Sequence, residues 1–246
     1  MALKYNTDME RLLVAIMESE HEALGGLIIR LRAELNSLIA DYILEVSSLG
    51  EYDVAKFNDL TDQLEGDIMV VLAPLLTEYI ELAENAHREA VQAVLGQDFE
   101  LSAISGVGLL DISGSIDQAR EKTYSIIAAM ISEIEGIASM GVKDGFKAKD
   151  IQLLTDKKDS LLYQLRRHFE AFLSLVVNQG VTQASPLKGY TRWYWQIHPE
   201  LTRSGTCQVC RDYSHGGQNR DGVYTIFDLP MIPVHPHCVC VLIPVE

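Results

Sequence analysis

The sequence predicts a mainly α fold: an elongated helical bundle or set of helical hairpins over residues 1–185, then a small α+β or irregular metal-binding module over residues 186–246. Three observations predict it. Apolar residues recur every three or four positions through most of the first 185 residues, the spacing of one face of an amphipathic helix. Composition shifts at Pro186, beyond which lie Pro199, Pro230, Pro233, Pro236 and both tryptophans. All four cysteines fall between Cys207 and Cys240, and residues 1–206 have none.

The helices can be taken in order. Thr7, Asp8, Met9 and Glu10 fit a capping box, in which a hydroxyl and a carboxylate each satisfy an orphan backbone N–H. Leu12, Leu13, Ile16, Met17, Leu24, Leu27, Ile28, Leu31, Leu35, Leu38, Ile39, Tyr42 and Ile43 then mark a long apolar face. Gly25 and Gly26 interrupt it as a candidate kink, and Ser47 to Gly50 is the candidate stop. A second helical region covers about 53–95, with Pro74 expected to bend or divide it and Gly96 as its C-cap. Residues 97–114 are rich in Gly and Ser and read as a loop, although Leu101, Ile104, Val107, Leu109 and Leu110 imply that it packs on something. Ser115 to Gln118 fits another capping box, opening a helix to about Met140. Gly141 to Lys149 reads as a turn, and a last long helix runs from about Asp150 to Asn178. Antiparallel packing of these helices would bury their apolar stripes.

Net charge is −15, and its distribution is informative. From Pro186 onward, Lys188, Arg192, Arg203, Arg211 and Arg220 balance Glu200, Asp212, Asp221, Asp228 and Glu246. Residues 1–185 therefore carry the whole excess. An acidic body is a poor match for nucleic acid, whose binding depends on Lys and Arg neutralising phosphates. It fits a solvated helical surface, or contact with a basic protein. One long uncharged stretch, Phe172 to Leu187, contains Ser174, Asn178, Gln179, Thr182, Gln183 and Ser185, and no membrane span and no membrane partner is expected.

The tail carries the chemistry. Cys207 and Cys210 form a C-x2-C knuckle, which brings two thiolates from one tight turn to a single ion. His235, Cys238 and Cys240 follow after a long gap. Zinc takes four thiolate or imidazole ligands in a tetrahedron, so these five candidates compete for four places. Four cysteines, or three cysteines with His235, both remain open. Sixty irregular residues bury little apolar surface, and a structural zinc ion supplies on the order of 10–16 kcal/mol of apparent binding free energy. The expected cofactor is therefore structural Zn2+. Val223 to Phe227 and Cys238 to Ile243 read as short strands, and the remainder of the tail as too irregular for a helix.

Tyr190, Trp193 and Trp195 sit on a strand-like segment before the knuckle. They either anchor it internally or serve as an interface, since Trp and Tyr often dominate binding energy. No catalytic residue stands out. Every cysteine fits the metal pattern, and the sequence has no P-loop, no GxSxG and no HExxH. The competing class is a zinc-dependent nuclease or other metal-assisted hydrolase. It would need an open coordination position and a carboxylate such as Asp212, Asp221 or Asp228 beside the ion.

The order of the tail resembles the C-terminal signature of the phage minor head, or head morphogenesis, family typified by the F protein of phage Mu. The matching residues are Gly189 to Trp193, Thr206-Cys207 with Cys210, Asp221-Gly222, Leu229-Pro230, and Pro233 through Cys240, within about 189–244. The sequence departs from that signature at Arg203 to Thr206, where the approach to the knuckle is spread out, and at Val239, often Arg in the family. The resemblance implies a non-enzymatic virion protein at the portal vertex, made in the host cytoplasm and assisting head assembly and DNA packaging or delivery. Its implied partners are the portal protein and a scaffold or major capsid protein, with direct DNA contact left open by the acidic body.

Overall fold

The computed structural model describes residues 7–49, 53–96, 111–198, 206–235 and 238–246. Four long helices come first: α1 (Thr7–Ser47), α2 (Val54–Leu95), α3 (Ser113–Asp144) and α4 (Ala148–Ala184). A 3-10 turn (Ser185–Lys188) leads to strand β1 (Arg192–Gln196), short helix α5 (Gln208–Ser214), and strands β2 (Val223–Thr225) and β3 (Val241–Val245). The mainly α architecture with a small sheet in the tail is thus as the periodicity predicts.

Local chemistry explains the helix ends. Ser47 Oγ and Ser48 Oγ donate to the carbonyls of Leu44 and Glu45 at 3.0 and 2.6 Å, which covers orphan acceptors of the last turn of α1. Asp53 caps α2 by accepting from Lys56 N at 3.3 Å. Gly96, with φ +94°, closes α2 by donating to Gln92 O at 2.8 Å. At the start of α4, Asp150 Oδ2 accepts from Lys147 N at 2.9 Å, the reciprocal half of a capping box.

Several expectations are corrected. Pro74 does not divide α2, and α1 runs through Gly25 and Gly26. Helix α3 starts at Ser113 rather than Ser115, because Asp111 Oδ1 accepts from Ser113 N at 2.9 Å. Ser115 Oγ is used elsewhere and donates to Gln179 Oε1 at 3.2 Å. The turn expected over 141–149 shrinks, since α3 reaches Asp144 and α4 begins at Ala148. Leu101, Ile104, Val107, Leu109 and Leu110 lie outside the described residues. By length and composition α3 is apolar enough to cross a membrane, contrary to the expectation drawn from uncharged runs; half of that window is buried within the fold.

The chain divides into two compact units. One comprises Met1–Leu24, Ile80–Asp117 and Arg167–Glu246; the other comprises Gly25–Tyr79 and Gln118–Arg166. This differs from the boundary read at Pro186, because the tail shares a unit with segments of all four long helices. In the second unit α1 and α2 run antiparallel, as Tyr42 Oη to Thr61 Oγ1 at 3.1 Å and Arg30 to Glu78 at 2.6 Å require. Its ion pairs are exposed, so each adds at most about 1 kcal/mol. Buried Leu31, Leu35, Ile39, Leu72, Ile134 and Leu154 supply its core.

In the tail-bearing unit α2 and α4 approach closely. Gly180 is buried in α4, and a Cβ there would stand 2.7 Å from the His87 carbonyl oxygen. His87 Nε2 pairs with Gln183 Oε1 at 2.9 Å, and burial holds the imidazole below its ordinary pKa. Glu20 is only 6% exposed, and burial with the Glu89 charge raises its carboxyl from 4.5 to about 7.

Two predictions follow from this packing. Gly136 is exposed within α3 and a Cβ there meets nothing, so Gly136→Ala should stabilise by roughly 0.5–1 kcal/mol, while Gly180→Ala should lower Tm. Thermal melts of both variants check the contrast. For Glu20, the folded chain holds a proton that the unfolded chain has lost between about pH 4.5 and 7, so its contribution to stability falls as pH rises through that window. Glu20→Gln should therefore melt higher than wild type at pH 8 and level with it near pH 4.

Candidate metal centre

The knuckle is built by a helix start. Cys207 is the N-cap of α5, with extended backbone, and its Sγ accepts from Cys210 N at 3.4 Å. One turn therefore carries both thiols to the same side. The irregular composition predicts no helix in the tail, yet these seven residues form one, with Cys207 as its N-cap.

The second half comes from two places. His235 O accepts from Cys238 N at 3.1 Å, which holds these two residues near one another. Cys238 and Cys240 lead into β3 rather than lying on it, so the expected strand starts at Val241. Both thiols nevertheless converge on Cys210. Cys210 Sγ is 3.9 Å from Cys238 Sγ and 2.9 Å from His235 Nε2, while Cys207 Sγ is 3.0 Å from His235 Nε2. The ligand atoms form two overlapping groups, Cys207–Cys210–His235 and Cys210–Cys238–Cys240, each within 4.8 Å, with Cys210 common to both. All five candidate ligands therefore come together, and all four cysteines are free of disulfides. His237 lies outside the described residues.

This donor set can hold a metal ion. Sulfurs around a tetrahedral ion with bonds of about 2.3 Å stand roughly 3.8 Å apart, close to the Cys210–Cys238 spacing. The His235 contacts are shorter and have the spacing of hydrogen bonds. Charge gives the second argument. Cys238 is lowered to about 3 by hydrogen bonds from Cys210 and Cys240, while Cys210 is raised by its hydrogen bonds to Cys238 and Cys240 and by burial. Cys240 is pushed up to about 12: the hydrogen bond with Cys210 lowers it, but Cys238 and burial outweigh that. The cluster holds one thiolate readily and resists the next, and a bound cation removes that resistance. Trp195 Nε1 is buried without a well-formed hydrogen bond, yet it lies against Cys240 and favours its thiolate. A metal-bound sulfur would accept that N–H.

The sheet frames the cluster in the order β2-β1-β3, with both pairings antiparallel. Trp193 and Trp195 occupy alternate positions of β1 and are 2% and 0% exposed. They are core residues and not a surface interface, because the pleat turns both inward. Trp193 Nε1 donates to Ser185 Oγ at 3.0 Å, and the Trp195 ring lies 5.0 Å from that of Tyr213. Tyr190 is half-buried. The exposed apolar side chains of the tail include instead Leu187, Val209, Ile226, Phe227 and Met231, of which the last three are the most exposed. Gly222 has φ +76°, and a Cβ there would stand 2.4 Å from Ser214 O, so the Asp-Gly step is a steric requirement.

The carboxylates have other duties. Asp212 accepts from Gln208 Nε2 at 2.6 Å, Asp221 from Val223 N at 3.1 Å, and Asp228 from Thr225 N at 2.6 Å. None joins either ligand group among the described residues.

Comparison with known proteins gives no matching family model, no matching curated protein and no matching solved structure.

Elemental analysis of the purified full chain should find bound metal in wild type that Cys207→Ser/Cys210→Ser lacks. Equal metal content in the two would show that the cluster is not a metal site.

Proposed function

We propose that this chain is a non-enzymatic minor head protein of a tailed bacteriophage, whose tail is stapled by one structural zinc ion and whose partner is the portal protein. The observation that carries the reading is that the cysteines and histidine of the tail signature gather in one cluster and that other signature residues shape the unit around it. Trp193 and Trp195 wall the unit that contains it, Cys207 and Cys210 cap and open α5, Gly222 allows the close pass beneath Ser214, and His235, Cys238 and Cys240 close on Cys210. A signature that resembles the minor head family in order is thus also a unit in space.

Zinc suits the donor set because it accepts thiolate and imidazole together and has no geometric demand beyond the tetrahedron. When bound it supplies charge compensation and a cross-link. A hydrolytic reading would need a carboxylate beside an open position, and Asp212, Asp221 and Asp228 are engaged in local helix and turn bonds. Ile226, Phe227 and Met231 are the exposed apolar side chains with which the tail would contact the portal, a scaffold or the major capsid protein. The acidic body favours a protein partner over DNA.

Mass spectrometry of purified proheads and virions should find the chain as a low-copy component, and it should co-purify with the portal. Its absence from both particles would refute the minor head reading. Addition of a zinc chelator to the isolated chain should lower its Tm, with recovery on adding zinc.

A further inference from the structure

The Cys238–Cys240 half of the cluster hangs on a residue of α4. Asn178 is 1% exposed, and its carboxamide makes three hydrogen bonds. Nδ2 donates to Ser174 O at 2.8 Å, within the helix. Nδ2 also donates to Cys240 O at 3.0 Å, and Oδ1 accepts from Leu242 N at 2.7 Å. The last two bonds flank a single residue, Val241, which is paired with Gln196 of β1. The carbonyl of one residue and the N–H two positions later share one edge of a strand. β3 is an outer strand of the sheet, with β1 on its other side. Asn178 therefore behaves as a one-residue neighbouring strand and occupies the edge that β1 leaves open.

Only a primary carboxamide offers donor and acceptor together at this reach; a carboxylate has no donor and an aliphatic side chain has neither. The cost of burying so polar a group is offset because two of its bonds meet backbone groups on the edge of β3 that β1 does not pair. Cys238 and Cys240 lie in irregular backbone outside β3, so no strand ladder sets their direction. The bond to Cys240 O comes at the junction where that irregular segment becomes a strand.

We propose that Asn178 is a positioning residue of the metal centre: through Cys240 O and Leu242 N it holds the second ligand pair in its binding arrangement before the ion arrives. This rests on the reading of the cluster as a metal site. Groups that orient ligands from outside typically change metal affinity about 10–100-fold when removed. Ser174, one turn earlier on α4, is fully buried, and its Oγ makes no hydrogen bond among the described residues. It provides a control that alters a buried side chain one turn away on α4 without removing either hydrogen bond to the Cys240–Leu242 segment.

Zinc affinity of the full chain, measured by competition with a chromophoric chelator, should fall about 10–100-fold in Asn178→Ala and stay within about threefold of wild type in Ser174→Ala. The thiolate-to-cobalt absorption of the cobalt-substituted protein should change in the first variant and not in the second. Equal affinity in wild type and Asn178→Ala would overturn the positioning role, as would equal losses in both variants. Absence of metal from wild type would instead remove the metal site itself, and this inference with it. Should Asn178→Ala not fold, wild type decides: the Leu242 amide should be protected from hydrogen exchange in the zinc-free protein, and exchange at the unprotected rate would overturn the proposal.

Discussion

Cys210, Cys238 and Cys240 are nearly inaccessible to solvent, and their sulfurs lie within 4.8 Å of one another. Three thiols in that space cannot ionise independently, because each negative charge raises the cost of the next. Hydrogen bonding favours the thiolate at Cys238 and, with burial, disfavours it at Cys210. A cation among these sulfurs would relieve their mutual repulsion, and the group could hold a metal ion. Helix α5 is a capped helix of about two turns whose start presents Cys207 and Cys210. His235 and the lead from Cys238 into β3 carry the rest.

A three-stranded sheet of five, three and five residues is too small to stand alone. The end of α4 completes it from one side. Asn178 pairs with the free edge of β3, and Ser185, just past α4, accepts the Trp193 indole. Val181 and Ala184 are fully buried between these two polar contacts. The tail is therefore joined to helical residues by directed hydrogen bonds as well as by apolar packing. The compact unit that contains it also takes in helical segments from much earlier in the chain, α2 among them through His87 and Gln183.

The helices were legible because their signal is local. Asp53, Gly96 and the apolar spacing of α1 are short-range features, and the structure uses all three. Ser115 was misread for an equally clear reason. Its hydroxyl had two possible partners, a backbone N–H nearby and Gln179 sixty-four residues away, and the distant one won once Asp111 had capped α3. Pro74 likewise looked like a break, yet a long helix with buried Leu72, Leu76 and Tyr79 absorbs one missing hydrogen bond. Trp193 and Trp195 were open to two readings, since a strand shows which residues share a face but not which face is covered.

The sequence by itself determined the mainly α class, the position of the acidic body and the five residues that gather at the cluster. Periodicity, charge and cysteine spacing are properties of neighbouring residues, and they survive without a fold. Tertiary structure alone decided that Cys210 is the donor shared by both ligand groups, that the tryptophans are core, and that Asn178 belongs to the tail. Each of these depends on contacts between residues far apart in the chain, where the winning partner is chosen by burial and hydrogen-bond geometry rather than by spacing.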